Sequence, residues 1–99
     1  MPKFEEELDC SVELKEPARY KVLLHNDDYT SMDFVVEILV RIFYKNHGEA
    51  ERIMLQIHKK GKAICGIYSF EIAQTEGQQV KQRAKQNGFP LLATIEEDM

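Results

Sequence analysis

The run His25-Asn26-Asp27-Asp28-Tyr29-Thr30-Ser31-Met32 gathers an imidazole, a carboxamide, two carboxylates and two aliphatic hydroxyls between one apolar stretch, Tyr20 to Leu24, and another that begins at Phe34. Asparagine and aspartate offer side-chain oxygens as acceptors, and a helix start fixes the backbone beside them, so such a loop can hold a small cation or a hydrogen-bond donor. A second imidazole, His58, follows Met54 and Ile57 at helical spacing.

Four chemistries fit these residues. In the plainest, Asn26 and Asp28 make Asx turns and the acids favour the positive end of the following helix. A divalent metal could take His25, Asp27, Asp28 and His58, but no His-x-x-x-His, HExxH or EF-hand spacing accompanies them. Acid–base catalysis by Asp27 and His58 would want a nucleophile motif or a glycine-rich phosphate cradle, and the chain has neither. The fourth is capture of a protonated amine. An ammonium has three donors and one positive charge, and Asn26 (neutral oxygen), Asp27 (charge) and His58 (ring nitrogen) match that count. His58 accepts only as the neutral imidazole. Thr30, Met32, Met54 and Ile57 would then wall an adjoining apolar slot, methionine giving an adaptable lining. Against this, a histidine, a methionine and an isoleucine on one helical stripe are ordinarily core residues. On residue types alone the four stay open.

The elements that must position this loop can be read from periodicity and caps. A strand is expected from Arg19 to His25, alternating Tyr20, Val22 and Leu24 against Lys21, Leu23 and His25. Thr30-Ser31-Met32-Asp33 reads as a capping box with Thr30 as the cap. The helix it opens is expected to reach about Asn46. Its apolar residues cover most of the circumference, as befits the most buried helix. Gly48 separates it from a second helix, about Glu49 to Lys59, with Ala50, Ile53, Met54, Ile57 and His58 on one stripe and Gly61 as a left-handed cap. A second strand, Lys62 to Tyr68, sets Ala63, Cys65 and Ile67 on one side and Ile64, Gly66 and Tyr68 on the other. Ser69 caps a third helix, about Phe70 to Asn87, with a thin stripe of Ile72, Ala73, Val80 and Ala84. Asn87-Gly88-Phe89-Pro90 stops it, and Leu91 to Ile95 form the last strand before an acidic end. The order β-α-α-β-α-β implies an α/β two-layer sandwich, a small three-stranded sheet with three helices on one face. Strand order does not follow from the pattern.

Bulk composition narrows the class. At 99 residues the chain is one domain, and 43% hydrophobic with 30% charged residues is the balance of a globular protein. A net charge of −4 argues against a nucleic-acid binder working by phosphate neutralisation. No run is long and apolar enough for a membrane span, and Met1-Pro2-Lys3-Phe4-Glu5-Glu6-Glu7 lacks the apolar core of a signal peptide, so a cytoplasmic protein is expected. Residues 1–17, with Glu5, Glu6, Glu7, Asp9, Glu13 and Glu16, read as a flexible acidic extension, and 18–99 as the globular domain. Cys10 and Cys65 have no paired spacing; free thiols are expected, Cys65 as a small buried hydrophobe.

The run Tyr20 to Val35, with Met54-Leu55-Gln56-Ile57-His58, Gly61-Lys62-Ala63-Ile64-Cys65-Gly66 and Pro90-Leu91-Leu92 in the same order, resembles the signature of the ClpS family of N-degron adaptors over residues 18 to 96. The Asn-Asp-Asp-Tyr-Thr and Lys-Ala-Ile-Cys-Gly blocks are its most specific parts. The resemblance implies the fold of the ribosomal stalk protein's C-terminal domain. It also implies an adaptor, not an enzyme, with no cofactor and no metal. Such an adaptor would bind proteins whose first residue is Leu, Phe, Tyr or Trp and deliver them to a Clp AAA+ unfoldase, ClpA or a related one, with its ClpP peptidase. Asn26, Asp27 and His58 match the positions that hold the α-amino group, Asp27 partly through water. Thr30, Met32, Val35, Met54, Ile57 and Leu91 match the side-chain pocket, Met32 standing where β-branched residues are excluded. Glu71 matches the stretch that docks on the unfoldase N-domain, and the acidic extension matches the part the unfoldase engages. Three positions depart from the pattern: Ser31 stands where proline is common, Ile57 where a smaller valine occurs, and Glu76 where a basic residue can occur. A rival reading is a scaffold of the ribosomal-stalk type, which would not distinguish peptide N-termini.

Overall fold

The structure, a computed structural model, describes residues 17–99. The acidic extension, apart from Pro17, and Cys10 lie outside the described residues. Six elements follow in the expected order: β1 (Arg19–His25), α1 (Met32–Arg41), α2 (His47–Lys60), β2 (Lys62–Tyr68), α3 (Phe70–Gln86) and β3 (Leu92–Asp98). The strands form one antiparallel sheet in the order β2-β1-β3, so the first strand of the chain is the central one. Val22 and Leu24 of β1, Ile38 and Leu39 of α1, Ala50 of α2, and Ala73 and Val80 of α3 are sealed completely from solvent. Each larger side chain in such a core contributes about 1.5–3 kcal/mol on burial, so the sandwich is held mainly by this one cluster.

Local signals placed most ends correctly, and the misses have identifiable causes. The cap of α1 is Ser31, whose hydroxyl accepts from the Phe34 N–H at 3.1 Å, and not Thr30. Thr30 is taken up elsewhere: its hydroxyl donates to Asp27 Oδ2 at 2.7 Å. α1 ends at Arg41, short of Asn46, because the chain turns through Tyr44 in the left-handed region (φ 56°) and the Lys45 N–H donates to the Leu39 carbonyl. Asn46 is then free to cap α2, its Oδ1 accepting from the Glu49 N–H at 2.8 Å, and Gly48 lies inside the first turn. At the other end α3 stops in a Schellman motif: Gly88 is left-handed (φ 75°), and the Phe89 and Gly88 N–H groups donate to the Ala84 and Lys85 carbonyls.

Sheet side chains also depart from simple alternation. The pairing of β1 with β2 shifts between Val22 and Leu23, where Gly66 and Ile64 are the partners and Cys65 is the extra residue. The bulge reverses the pleat, so Ile67 is exposed while Gly66 and Tyr68 are half-buried. Cys65 is nonetheless buried, and burial pushes its thiol up to about 12, as expected of an inert core residue. β3 begins one residue late and runs on through Glu96, Glu97 and Asp98, because the register sets Glu96 opposite Lys21 and Asp98 opposite Arg19. On α3, Glu76 replaces Ile72 in the buried stripe, and Ile72 is exposed.

The Tyr68 side chain lies directly over Gly66, where a Cβ would run into the ring. Gly66→Ala is therefore expected to lower stability by about 1–3 kcal/mol, the usual cost of an overlap that must be relieved by moving a neighbour. Urea denaturation of the two proteins measures it; an unchanged midpoint would mean that the ring swings aside without loss.

Candidate functional site

The loop between β1 and α1 is held from two directions. Gly61 ends α2 in the left-handed region (φ 93°), its N–H donating to the Ile57 carbonyl at 2.9 Å. Its own carbonyl accepts from the Asn26 N–H at 2.8 Å, which ties the start of the loop to the end of α2. Asn26 and His58, distant in sequence, thereby come to line one hollow. Asp27 folds the rest of the loop around itself. Its Oδ1 accepts from the Tyr29 N–H at 2.8 Å and the Thr30 N–H at 2.7 Å, and its Oδ2 from the Thr30 hydroxyl. Burial alone would raise the Asp27 pKa, but these three hydrogen bonds to its ionised form outweigh it and hold the carboxyl below its ordinary value.

The hollow has a volume of about 410 Å³. Asn26, Asp27, Thr30 and His58 stand around its polar side, and Met32, Val35, Met54 and Ile57 make its apolar side. Burial grades across it. Asn26 and His58 are exposed, Met32 is 45% exposed, and Asp27, Thr30 and Met54 are half-buried, whereas Val35 and Ile57 are buried. It is thus a slot with an apolar floor and lone-pair acceptors at its mouth, open to water where a charged group would sit. His58 is not the satisfied core residue that its stripe allows. Asp28, Tyr29 and Ser31 line the same hollow. Sequence reasoning gave Tyr29 and Ser31 no role there, and Asp28 only an Asx turn or a place in a metal site, although all three belong to the run that drew notice.

Two other candidate residues sit apart. Leu91 is buried in the main core and is not among the residues around the slot. Glu71 lies exposed in the first turn of α3 and borders a different hollow. His25 makes a hydrogen bond with Thr94 Oγ1 across the sheet at 2.7 Å, which separates it from Asp27, Asp28 and His58. Among the described residues no three of His, Cys, Asp or Glu converge as a metal site. None of the described helices is long and apolar enough to cross a membrane.

Comparison with known proteins decides the family. The family model described as ATP-dependent Clp protease adaptor protein ClpS matches residues 15–94, well over half of the chain. This chain belongs to the ClpS family. An ATP-dependent Clp protease adapter protein ClpS from Wolinella succinogenes is 50% identical over 94 residues, covering 95% of this chain and 92% of that protein. ClpS from Shewanella piezotolerans is 60% identical over 85 residues, covering 86% and 83%. Among solved structures, Agrobacterium tumefaciens ClpS2 bound to L-phenylalaninamide superposes with a TM-score of 0.81 at 35% identity, covering 84% of this chain and all of that one. The ClpS fold therefore accounts for the sandwich, and the chain is a Clp protease adapter of that family.

Proposed function

We propose that this ClpS chain reads the exposed first residue of protein substrates and delivers them to a Clp AAA+ unfoldase and its ClpP peptidase in the cytoplasm, acting as an adaptor and not as an enzyme. The observation that carries the reading is the graded slot, with acceptors at the mouth and Val35 and Ile57 on the floor. L-phenylalaninamide, the ligand of the related ClpS2, is a phenylalanine with a free α-amine and an amide where the next peptide bond would begin. That is the chemistry such a slot would select. The α-ammonium goes to Asn26 Oδ1 and a neutral His58 ring nitrogen. Asp27 acts chiefly through its charge and through water, since both of its oxygens already accept from the loop. The side chain, Leu, Phe, Tyr or Trp, enters between Thr30, Met32, Val35, Met54 and Ile57. Glu71 marks the face that docks on the unfoldase, and the acidic segment 1–17 is the part that the unfoldase engages.

A calorimetric titration tests the reading with peptides that begin Phe, Leu or Gly. The first two should bind and the third should not; a Phe-peptide that fails to bind ends the proposal. Met32, at the mouth, should exclude branching at Cβ, so Met32→Ala is expected to narrow the preference for Leu over Val peptides by about tenfold, within the ~1–3 kcal/mol that one methylene commonly decides. Unchanged discrimination in that variant would place the gate elsewhere.

A further inference from the structure

The apolar wall of the slot does not end at its mouth. Met32, Val36 and Val40 stand at i, i+4 and i+8 along α1, on one face of the helix. Met32 lines the slot, while Val36 and Val40 line a second hollow, about 440 Å³, that runs on between α1 and α2 as far as Arg41 and His47 beside their connecting turn. Met54 of α2 borders both hollows and joins them. Val36, Val40 and Met54 are half-buried, each packed on the core from one side and open on the other. The rim of this groove is charged but largely paired within itself. Glu37 accepts from Arg83 at 2.8 Å and lies 3.5 Å from Arg41, and His47 lies 3.2 Å from Glu51. Of the charged rim residues only Asp33, at the end nearest the slot, has no ion pair among the described residues. Past Asp33 the groove offers a ligand its apolar floor, and a charged side chain laid there would lose water and gain no partner.

A peptide seated by its first residue leaves in this direction. Its ammonium is at the Asn26 and His58 end and its first side chain goes down between Val35 and Ile57, so the carbonyl departs on the side away from those acceptors. Along α2 that path leads from His58 back past Met54, about one turn earlier, and along α1 from Met32 toward Val36. In an extended chain alternate side chains point to one face and stand about 6.6–6.8 Å apart. The step from Met32 to Val36 is about 6 Å along the helix axis, so the first and third side chains of the peptide keep pace with the two residues of α1.

We propose that the groove over Val36, Val40 and Met54 is a subsite for the third residue of the bound protein and that it selects an apolar side chain there. The second side chain points away from the surface and is not selected by this groove. The inference rests on the reading of the slot as the seat of the first residue and deepens it: the ligand is a chain start with apolar side chains at its first and third positions. Leucine at the third position covers the floor, glycine leaves it wet, and aspartate is desolvated against it without a donor. Because the groove is open on one side, the gain is a fraction of that for full burial, and a change of about fivefold to tenfold is expected between leucine and glycine.

The test titrates the full chain with peptides that begin Phe-Gly-Gly, Phe-Gly-Leu, Phe-Leu-Gly and Phe-Gly-Asp and share one Gly-Ser tail. Phe-Gly-Leu should bind about fivefold to tenfold tighter than Phe-Gly-Gly, Phe-Leu-Gly within twofold of it, and Phe-Gly-Asp more weakly. If all four bind alike, the groove is not a subsite and the slot reading stands; if none binds, the slot reading fails and takes this proposal with it. A gain from leucine at the second position as large as at the third overturns the assigned register. The double variant Val36→Thr, Val40→Thr makes the floor polar at nearly constant shape, and in it the ratio between Phe-Gly-Leu and Phe-Gly-Gly should fall to about twofold or less. A ratio that persists in a variant whose thermal unfolding shows it folded places the third residue elsewhere and overturns the proposal. Methyl resonances of the parent protein decide the same point without a variant: those of Val36 and Val40 should shift further with Phe-Gly-Leu than with Phe-Gly-Gly, and equal shifts with the two peptides refute the subsite.

Discussion

A Phe-initiated peptide is expected to lose affinity by at least about thirtyfold when its α-amine is acetylated. The slot's floor alone, burying one phenyl ring, contributes about 1.5–3 kcal/mol, whereas micromolar binding needs about 8 kcal/mol. The difference must come from the charged end of the ligand. Acetylation removes the positive charge and two of the three donors, and it leaves the Asp27 charge and the acceptors of Asn26 and His58 desolvated against a methyl group. Truncating one side of such a charged pair costs about 2–5 kcal/mol, and its lower end already corresponds to about thirtyfold. Calorimetry with the two peptides decides it; equal affinities would remove the amine from the recognition model and leave only an apolar groove.

Asp27→Ala should weaken Phe-peptide binding by about a hundredfold while leaving the fold intact, and Asp27→Asn should fall between that variant and the parent. The carboxylate accepts three loop hydrogen bonds and contributes negative charge at the mouth of the slot. Hydrogen bonds to a charged acceptor contribute about 1.5–3 kcal/mol each, toward the lower end here because the loop is partly open to water. Alanine removes bonds and charge together. Asparagine keeps an acceptor for the backbone donors and loses the charge. A pH consequence follows from the same bonds. The folded Asp27 pKa is depressed, so its contribution is complete above the ordinary unfolded value of about 3.9 and is lost as pH falls through the lower folded value. Loop order should therefore persist at pH 5. Amide exchange at Tyr29 and Thr30 checks it; exchange at those amides that is as fast at pH 5 as in an unfolded chain would contradict the loop geometry.

Much of this protein was legible along the chain because its signals are local. Both bounds of β1 and β2, the Gly61 and Ser69 caps and the stop at Asn87-Gly88 depend on residues within a turn of one another. The acceptor-rich loop was visible as composition, and its resemblance to ClpS named Asn26, Asp27 and His58 together. What one-dimensional pattern missed was decided by competition between distant or adjacent groups. Thr30 would cap α1 if Asp27 did not accept its hydroxyl. α1 would continue past Arg41 if Ile42 and Phe43 did not have to turn into the core. The bulge at Cys65, the reversal of Ile67 and the entry of Glu76 into a buried stripe follow from how β2 meets β1 and α3, which no helical or strand period encodes.

The amino-acid sequence by itself determined the elements, their order and the loop that carries the acceptors, since propensity, capping and hydrophobic period act over a few residues. Only the tertiary structure decided that β1 is the central strand, and that Asn26 and His58 share one hollow. The first depends on strand pairing, and the second on the bond from the Asn26 N–H to the Gly61 carbonyl, which exists only when α2 returns to the end of β1.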